Sequence, residues 1–124
     1  DTLKAMDEAK TGAMILAAAR MGCYAAGADE KAVQAAAAYA VNVGMAFQVT
    51  DDILDVTSDE ATLGKSTGKD SRDNKSTYVT LYGLEKAKEM ADAFTRQAVD
   101  ALGCFGEKAD TLKELAFYLA GRKN

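Results

Sequence analysis

No proline occurs anywhere in the 124 residues of this chain, and this absence is the strongest constraint on its fold. Proline interrupts helices more strongly than any other residue. Alanine, which dominates the apolar residues here, is the best helix former. The sequence therefore predicts an all-α protein, and its length is that of a single domain with one buried core.

Apolar residues at three- and four-residue spacing divide the chain into helical segments. The predicted helices cover residues 2–26, 29–56, 78–102 and 109–120. Gly27 is expected to end the first helix and Asp29 to cap the second, because glycine suits a helix C-terminus and aspartate a helix N-terminus. Gly103 and Gly106 are expected to break the third helix. Residues 57–76, rich in Ser, Thr, Asp, Gly and Lys, predict a loop of a length that is usually functional or disordered.

The charged and sulfur-containing residues limit the chemistry open to this chain. A formal net charge of −4 disfavours general nucleic-acid binding, which needs a basic surface. Because histidine is absent, any metal must be held by carboxylates, as Mg²⁺, Mn²⁺ or Ca²⁺ are. Cys23 and Cys104 have no CxxC spacing and are expected to be buried free thiols of a cytoplasmic protein. No uninterrupted apolar stretch is long enough to predict a membrane span.

Three aspartates in the segment "DDILD" stand near the predicted end of the second helix. Carboxylates at a helix C-terminus face the negative end of the helix dipole, and like charges four residues apart repel. Asp51 and Asp55 lie on one helix face about 6 Å apart along the axis, and Asp52 can reach the same ion from the side. A bound cation would compensate the repulsion, although a solvated acidic helix end is an equally good interpretation of this segment alone. The spacing does not match an EF-hand.

Four basic residues follow the aspartates within the predicted loop: Lys65, Lys69, Arg72 and Lys75. Carboxylates and lysines around one site suit a metal–phosphate complex, because Mg²⁺ is held by few carboxylates and bridges to substrate phosphates. A solvated loop of mixed charge is the alternative. The segment "LGKSTGKD" does not match the P-loop pattern, so it does not predict a nucleotide site of that type.

Polar residues also interrupt the apolar pattern of the first two helices. Lys10, Thr11 and Gly12 form the segment "KTG" within the first helix, where threonine and glycine are poor helix formers. Gln48 lies one turn before Asp52 in the second helix. Considered alone, "KTG" is also explained by an exposed turn of the helix, and Gln48 by a hydrogen-bonded buried amide.

Together these segments are much more specific than any one of them. "KTG" stands in one helix, "FQVTDDILD" ends the next, and "GKSTGKD" and "DNKSTY" follow in that order. This order resembles the C-terminal half of the trans-isoprenyl diphosphate synthases, the family of farnesyl and geranylgeranyl diphosphate synthases, essentially from end to end. The resemblance implies an all-α bundle around a cavity in which isopentenyl diphosphate is joined to an allylic diphosphate. It also implies Mg²⁺ as the cofactor and a homo-oligomer, usually a dimer.

The resemblance assigns the metal ligands and two diphosphate contacts residue by residue. Asp51, Asp52 and Asp55 match the family's second aspartate-rich motif, which holds Mg²⁺ directly or through water. Lys65 and Lys75 match lysines that contact substrate diphosphate. The acidic helix end and the lysine loop would then serve one metal–diphosphate complex.

The implied catalytic residues are Lys10, Thr11 and Gln48. Lys10 matches the lysine that contacts the allylic diphosphate, and Thr11 and Gln48 match polar groups that line the site where the allylic cation forms. Arg122 and Lys123 resemble, more loosely, a basic tail that closes over the second substrate.

The family's first aspartate-rich motif has no counterpart in this sequence, nor have its N-terminal basic residues. Residues 1–124 are therefore expected to form the C-terminal portion of a polyprenyl synthetase domain and to be inactive alone. Product chain length depends chiefly on residues near the first motif, so it cannot be read here. Class I terpene cyclases also carry DDxxD but lack these lysines. A non-catalytic helical subunit or truncated paralogue that binds Mg²⁺–diphosphate or a partner chain is the other alternative.

Overall fold

A computed structural model describes the backbone of residues 2–62 and 77–121 and the side chains of residues 9–58 and 77–121. All regular structure in these ranges is helical, which confirms the all-α prediction. The elements in chain order are α1 (Thr2–Ala25), α2 (Glu30–Thr62), α3 (Tyr78–Tyr82), α4 (Leu84–Ala101), a 3₁₀ segment (Leu102–Ala109) and α5 (Asp110–Gly121).

The turn between α1 and α2 forms as the sequence predicts. Gly27 has a φ of 75°, a left-handed conformation that glycine adopts without the steric cost of a side chain. The N–H of Ala28 donates to the carbonyl of Cys23 at 2.9 Å, and that of Gly27 to Tyr24 at 3.1 Å, which is the Schellman pattern at a helix C-terminus. Asp29 Oδ1 then accepts the N–H of Ala32 at 2.8 Å and so caps α2.

α2 is the central helix and contacts each of the other elements. In the apolar clusters where α2 meets α4, the buried residues of α4 are the short Ala87, Ala91 and Ala98. Those of α2 are Tyr39, Val43 and Val49. The short side chains of α4 allow the two helix backbones to approach closely. The core of the described structure is therefore narrow, with few large side chains.

Two apolar clusters lie along α2. The first joins α2 to α4, the 3₁₀ segment and α5, and consists of Tyr39, Val43, Ala98, Leu102, Ala109 and Ala116. The second consists of Val49, Ala87 and Ala91, with Ile53 and Tyr78 packed against it. This second cluster fixes the turns of α2 that carry the aspartates, and it brings α3 against them.

The structure departs from the predicted helix boundaries in two places. α2 continues to Thr62, beyond the predicted end at residue 56, and Thr57 fits into the helix because its hydroxyl donates to the carbonyl of Ile53 at 3.0 Å. Gly83, with a φ of 88°, divides the predicted helix 78–102 into α3 and α4. Gly106 interrupts the helical conformation as expected, with a φ of 60°. The rest of the predicted loop, residues 63–76, lies outside the described residues.

The cysteines do not follow the sequence expectation. Cys104 is exposed and Cys23 is half-buried, and both are free thiols. The prediction of two buried thiols is therefore wrong, because Cys104 lies on the outer side of the 3₁₀ segment, next to exposed Gly103.

By length and composition alone, the part of α2 from Glu30 to Ser58 would qualify as a membrane-crossing helix, and no other described helix does. The core helix of a soluble protein passes the same test. In this chain α2 carries half of the buried core residues of the described structure and has other helices packed along it.

Candidate functional site

The three aspartates of "DDILD" lie on the last turns of α2 in three different environments. Asp51 is half-buried, Asp55 is exposed, and Asp52 is buried with only 4% of its surface accessible. The predicted spacing of Asp51 and Asp55 is confirmed, since both lie within one continuous helix and are one turn apart. Asp52 alone of the three is enclosed by the protein.

The carboxylate of Asp52 receives a hydrogen bond from a distant part of the chain. The N–H of Tyr78 donates to Asp52 Oδ2 at 3.0 Å. Tyr78 is the first residue of α3, where backbone N–H groups have no partner within the helix. Asp52 therefore ties the start of α3 to the end of α2.

A groove of about 430 Å³ lies between α1 and α2. Its lining is apolar except for one amide, that of Gln48. The lining residues are Ala9, Gly12, Ala13, Leu16, Val41, Gly44, Met45 and Gln48. The lining runs along α2 from Val41 to Gln48, about 10 Å at the rise of an α-helix, and Gln48 lies at the end nearest the aspartates.

Two glycines face each other on the floor of this groove. A Cβ atom placed on Gly44 would lie 3.8 Å from the Cα of Gly12 and 3.7 Å from Cδ1 of Ile15, which are ordinary van der Waals distances. The two helices are therefore close at this point, and a larger side chain on Gly44 would meet α1, whereas a Cβ on Gly12 would meet no atom within 4 Å.

The structure brings the "KTG" segment of α1 next to Gln48 of α2. Ala9 and Gly12, which flank Lys10 and Thr11 in sequence, line the same groove as Gln48. Lys10 is exposed and Thr11 is half-buried, and neither lines the groove itself. Of the three predicted catalytic residues, only Gln48 therefore lines the groove, and the roles assigned to Lys10 and Thr11 stay predictions.

The remaining predicted site residues are not placed. Lys65, Lys75, Arg122 and Lys123 lie outside the described residues. Their assigned roles as diphosphate contacts therefore remain predictions from the resemblance.

The carboxylates suit a cation that is shared with a phosphate better than one held by protein alone. Within residues 9–58 and 77–121, no three Asp, Glu, Cys or His side chains gather into a group that could hold a metal. Mg²⁺ normally keeps several waters and takes one or two carboxylates together with substrate phosphates. Asp51 and Asp55, hard oxygen donors one turn apart, fit that mode. The Mg²⁺ assignment stays a prediction.

Two parts of the site were missed by the sequence reasoning. The groove wall formed by Ala13, Leu16 and Met45 has no signal in the sequence, and only the helix pairing shows that these residues face a groove. The pairing of Asp52 with Tyr78 spans 26 positions. No local pattern signals such a contact, because it depends on how α3 returns to α2.

The chain is similar to known proteins along almost its whole length. Residues 1–115 match the family model for polyprenyl synthetase. The chain is 39% identical over its whole length to a geranylgeranyl diphosphate synthase of Cyanophora paradoxa, and covers 41% of that protein. It is 44% identical, over 98% of its length, to the farnesyl diphosphate synthase of Escherichia coli K12, and covers 42% of that protein.

A solved structure shares the fold. It is the crystal structure of a candidate farnesyl-diphosphate synthase from Marinomonas sp. MED121, with a TM-score of 0.73 and 37% sequence identity. The match covers 90% of this chain and 36% of that one. The chain thus spans about two fifths of the length of these curated relatives. With the family model matched over nearly the whole chain, we conclude that this chain belongs to the polyprenyl synthetase family.

Proposed function

We propose that the protein carrying this chain is a prenyltransferase that condenses isopentenyl diphosphate with an allylic diphosphate, and that these residues form one wall of its site. The observation that carries the proposal is the groove between α1 and α2, which is apolar and has Gln48 at one end, one turn of α2 before the aspartates. The names of the relatives, geranylgeranyl and farnesyl diphosphate synthases, support it.

The groove suits the hydrocarbon part of such a substrate. Its lining offers no hydroxyl, thiol, amine or carboxylate that would attack an electron-poor carbon. Besides the amide of Gln48, the thioether of Met45 is the one side-chain heteroatom among the residues that line it. The amide dipole of Gln48 can stabilise positive charge on the allylic carbon without forming a bond to it. We assign the hydroxyl of Thr11 to the same role on the family resemblance alone, since Thr11 does not line the groove. Apolar walls also keep water away from that carbon.

We place the diphosphate of the substrate at the end of the groove that is nearest the aspartates. Mg²⁺, when bound, neutralises the charge that develops on the departing diphosphate. We assign Asp51 and Asp55 to holding that ion and Lys10 to the diphosphate itself, with Lys65 and Lys75 as further contacts. Cytoplasmic location and a homodimer are part of the same proposal, on the family resemblance and on the free thiols.

The test is prenyl transfer by the purified natural protein with isopentenyl diphosphate, geranyl diphosphate and Mg²⁺. We expect a chelator to abolish turnover, and Asp51→Asn to lower kcat/KM by at least about a hundredfold, as the loss of a group that stabilises transition-state charge does. Asp100→Asn is the matched control. Asp100 is exposed at the far end of α4, so this substitution should change kcat/KM little. An inactive natural protein that still binds Mg²⁺ and diphosphate would favour the non-catalytic subunit instead.

A further inference from the structure

Asp52 is set apart from the other two aspartates of its motif by what surrounds it. Its side chain is buried, whereas Asp51 is half-buried and Asp55 exposed. One of its carboxylate oxygens already accepts the N–H of Tyr78 at 3.0 Å. A carboxylate that is buried and hydrogen-bonded to the backbone is held in one orientation, and this orientation is directed at α3.

The N–H groups at the start of α3 show why this contact matters. Thr77 Oγ1 accepts the N–H of Thr80 at 3.0 Å, and Thr80 Oγ1 accepts the N–H of Thr77 at 2.8 Å. This reciprocal cap satisfies two of the groups that a helix start leaves without an internal partner. The N–H of Tyr78 lies between them and has Asp52 as its acceptor.

The same contact lies at the edge of an apolar cluster. Tyr78 and Ile53 both pack against Val49, Ala87 and Ala91, where α2, α3 and α4 meet. Asp52 therefore joins the backbone of α3 to α2 at the point where Tyr78 packs against this apolar cluster.

We propose that Asp52 is a positioning residue, whose carboxylate fixes the start of α3 against α2 and leaves Asp51 and Asp55 to serve the diphosphate-bound cation. The part that concerns the cation rests on the function proposed above. The contact with Tyr78 stands on the geometry alone. This division of roles differs from the sequence prediction, in which all three aspartates hold the metal.

Two substitutions separate positioning from metal binding. Asp52→Asn and Asp52→Ala both remove the charge, but only asparagine keeps an oxygen that can accept the N–H of Tyr78. A change in metal affinity or in amide exchange that both variants share is caused by the loss of the charge. A difference between them reports the hydrogen bond, because a neutral side chain of either kind is a poor ligand for Mg²⁺ compared with a carboxylate.

The first measurement is the exchange rate of the Tyr78 amide by NMR in the natural protein, without metal or substrate. We expect Asp52→Ala to raise that rate at least about tenfold above Asp52→Asn, the size expected for a hydrogen bond of this kind. Asp51→Asn is the control and should leave the Tyr78 rate near that of the parent. Equal Tyr78 rates in the alanine and asparagine variants would overturn the proposal.

The second measurement is the affinity of each variant for inorganic diphosphate with Mg²⁺. Positioning predicts weaker binding by the alanine variant than by the asparagine variant, whereas a metal ligand predicts equal losses in both. If Asp52→Ala does not fold, the asparagine variant decides by itself: a Tyr78 amide as poorly protected as that of an exposed helix end would overturn the proposal. If the parent binds no Mg²⁺–diphosphate, the proposed function fails, while the Tyr78 rates still decide the role of Asp52.

Discussion

The side chain of Tyr39 in α2 forms a hydrogen bond to the backbone of α5. Its hydroxyl donates to the carbonyl of Leu112 at 2.8 Å, and the residue is buried in the first apolar cluster. A tyrosine in such a place combines a large apolar surface with one directed polar contact. Removing only the hydroxyl therefore isolates the contribution of that contact to the attachment of α5.

We expect Tyr39→Phe to lower the free energy of unfolding by about 1 kcal/mol, the usual net value of a neutral hydrogen bond. Chemical denaturation followed by circular dichroism measures the change. Tyr118→Phe is the matched control, because Tyr118 is 72% exposed. It should shift stability by no more than about 0.5 kcal/mol. Equal effects of the two substitutions would mean that the Tyr39 hydroxyl contributes nothing to stability.

The pKa of the same hydroxyl predicts how the stability of the protein changes at alkaline pH. Burial raises the pKa of Tyr39 above its ordinary value of 10.0, because the charged phenolate is poorly solvated in the core. The folded state therefore favours the neutral phenol. The resulting contribution to stability is fully present below the ordinary pKa and is lost as the pH rises through the higher pKa of the folded protein.

We therefore expect the stability difference between the parent and Tyr39→Phe to shrink as the pH is raised from about 8 to about 11, a range that spans tyrosine titration. Denaturation curves of both proteins across this range measure the difference, and the other tyrosines cancel because both proteins carry them. A difference that stays constant with pH would show that Tyr39 titrates alike in the folded and unfolded states.

Single residues of the site were predictable from the sequence where their roles depend on neighbours along the chain. The spacing of Asp51 and Asp55 places both on one helix face, and α2 confirms it. The burial of Asp52 could not be predicted, since its acceptor role needs Tyr78, which lies 26 positions away. Repulsion within the "DDILD" segment pointed to some compensation, and a backbone N–H provides part of it.

At the scale of helices, Gly83 decides where α3 ends and α4 begins. Its φ of 88° and ψ of 158° lie in a region that is open essentially to glycine alone. No atom outside its immediate neighbours lies within 4 Å of where a Cβ would be. The cost of a side chain at this position would therefore come from the backbone conformation and not from crowding.

We expect Gly83→Ala to destabilise the protein by about 1 to 3 kcal/mol. The measurement is again the free energy of unfolding. Gly103→Ala is a suitable control, since Gly103 also has open space for a Cβ but no positive φ, and it should be close to neutral. A neutral Gly83→Ala would show that α3 and α4 can merge into the single helix that the apolar pattern predicts.

The helices illustrate what periodicity and composition can predict. The pattern of apolar residues located α1, α2 and α5, because their core faces repeat with the helical period. The apolar pattern failed at residues 57–62. These residues are mostly polar and so predict a loop, although none of them is glycine or proline. Polar residues other than glycine and proline continue a helix at little cost. It also failed at Gly83, since glycine within an apolar pattern is only a weak sign of a break.

At the scale of the whole molecule, α1 is joined to the rest of the described structure through α2 alone. None of the side chains from residue 9 to residue 25 is fully buried. Met14, Met21 and Tyr24 expose more than half of their surface. α4, in contrast, has buried residues along its length and contacts α2, α3, the 3₁₀ segment and α5. Local stability follows the density of buried apolar contacts, so α1 should be the least stable part.

We expect the amides of α1 to exchange with solvent at least about tenfold faster than those of α4 when the 124-residue chain is studied alone, because α1 can open without disturbing either apolar cluster. Hydrogen exchange by mass spectrometry measures these rates directly.

The Gly44→Leu variant gives a second test of the same prediction. A leucine at this position would push against Ile15 and Gly12 of α1, and overpacking of this kind costs about 1 to 3 kcal/mol. It should raise the rates of α1 much more than those of α4. If the amides of α1 and α4 exchange at the same rate in both proteins, α1 belongs to the same cooperative unit as the core. The interface between α1 and α2 would then be stronger than the burial of α1 suggests.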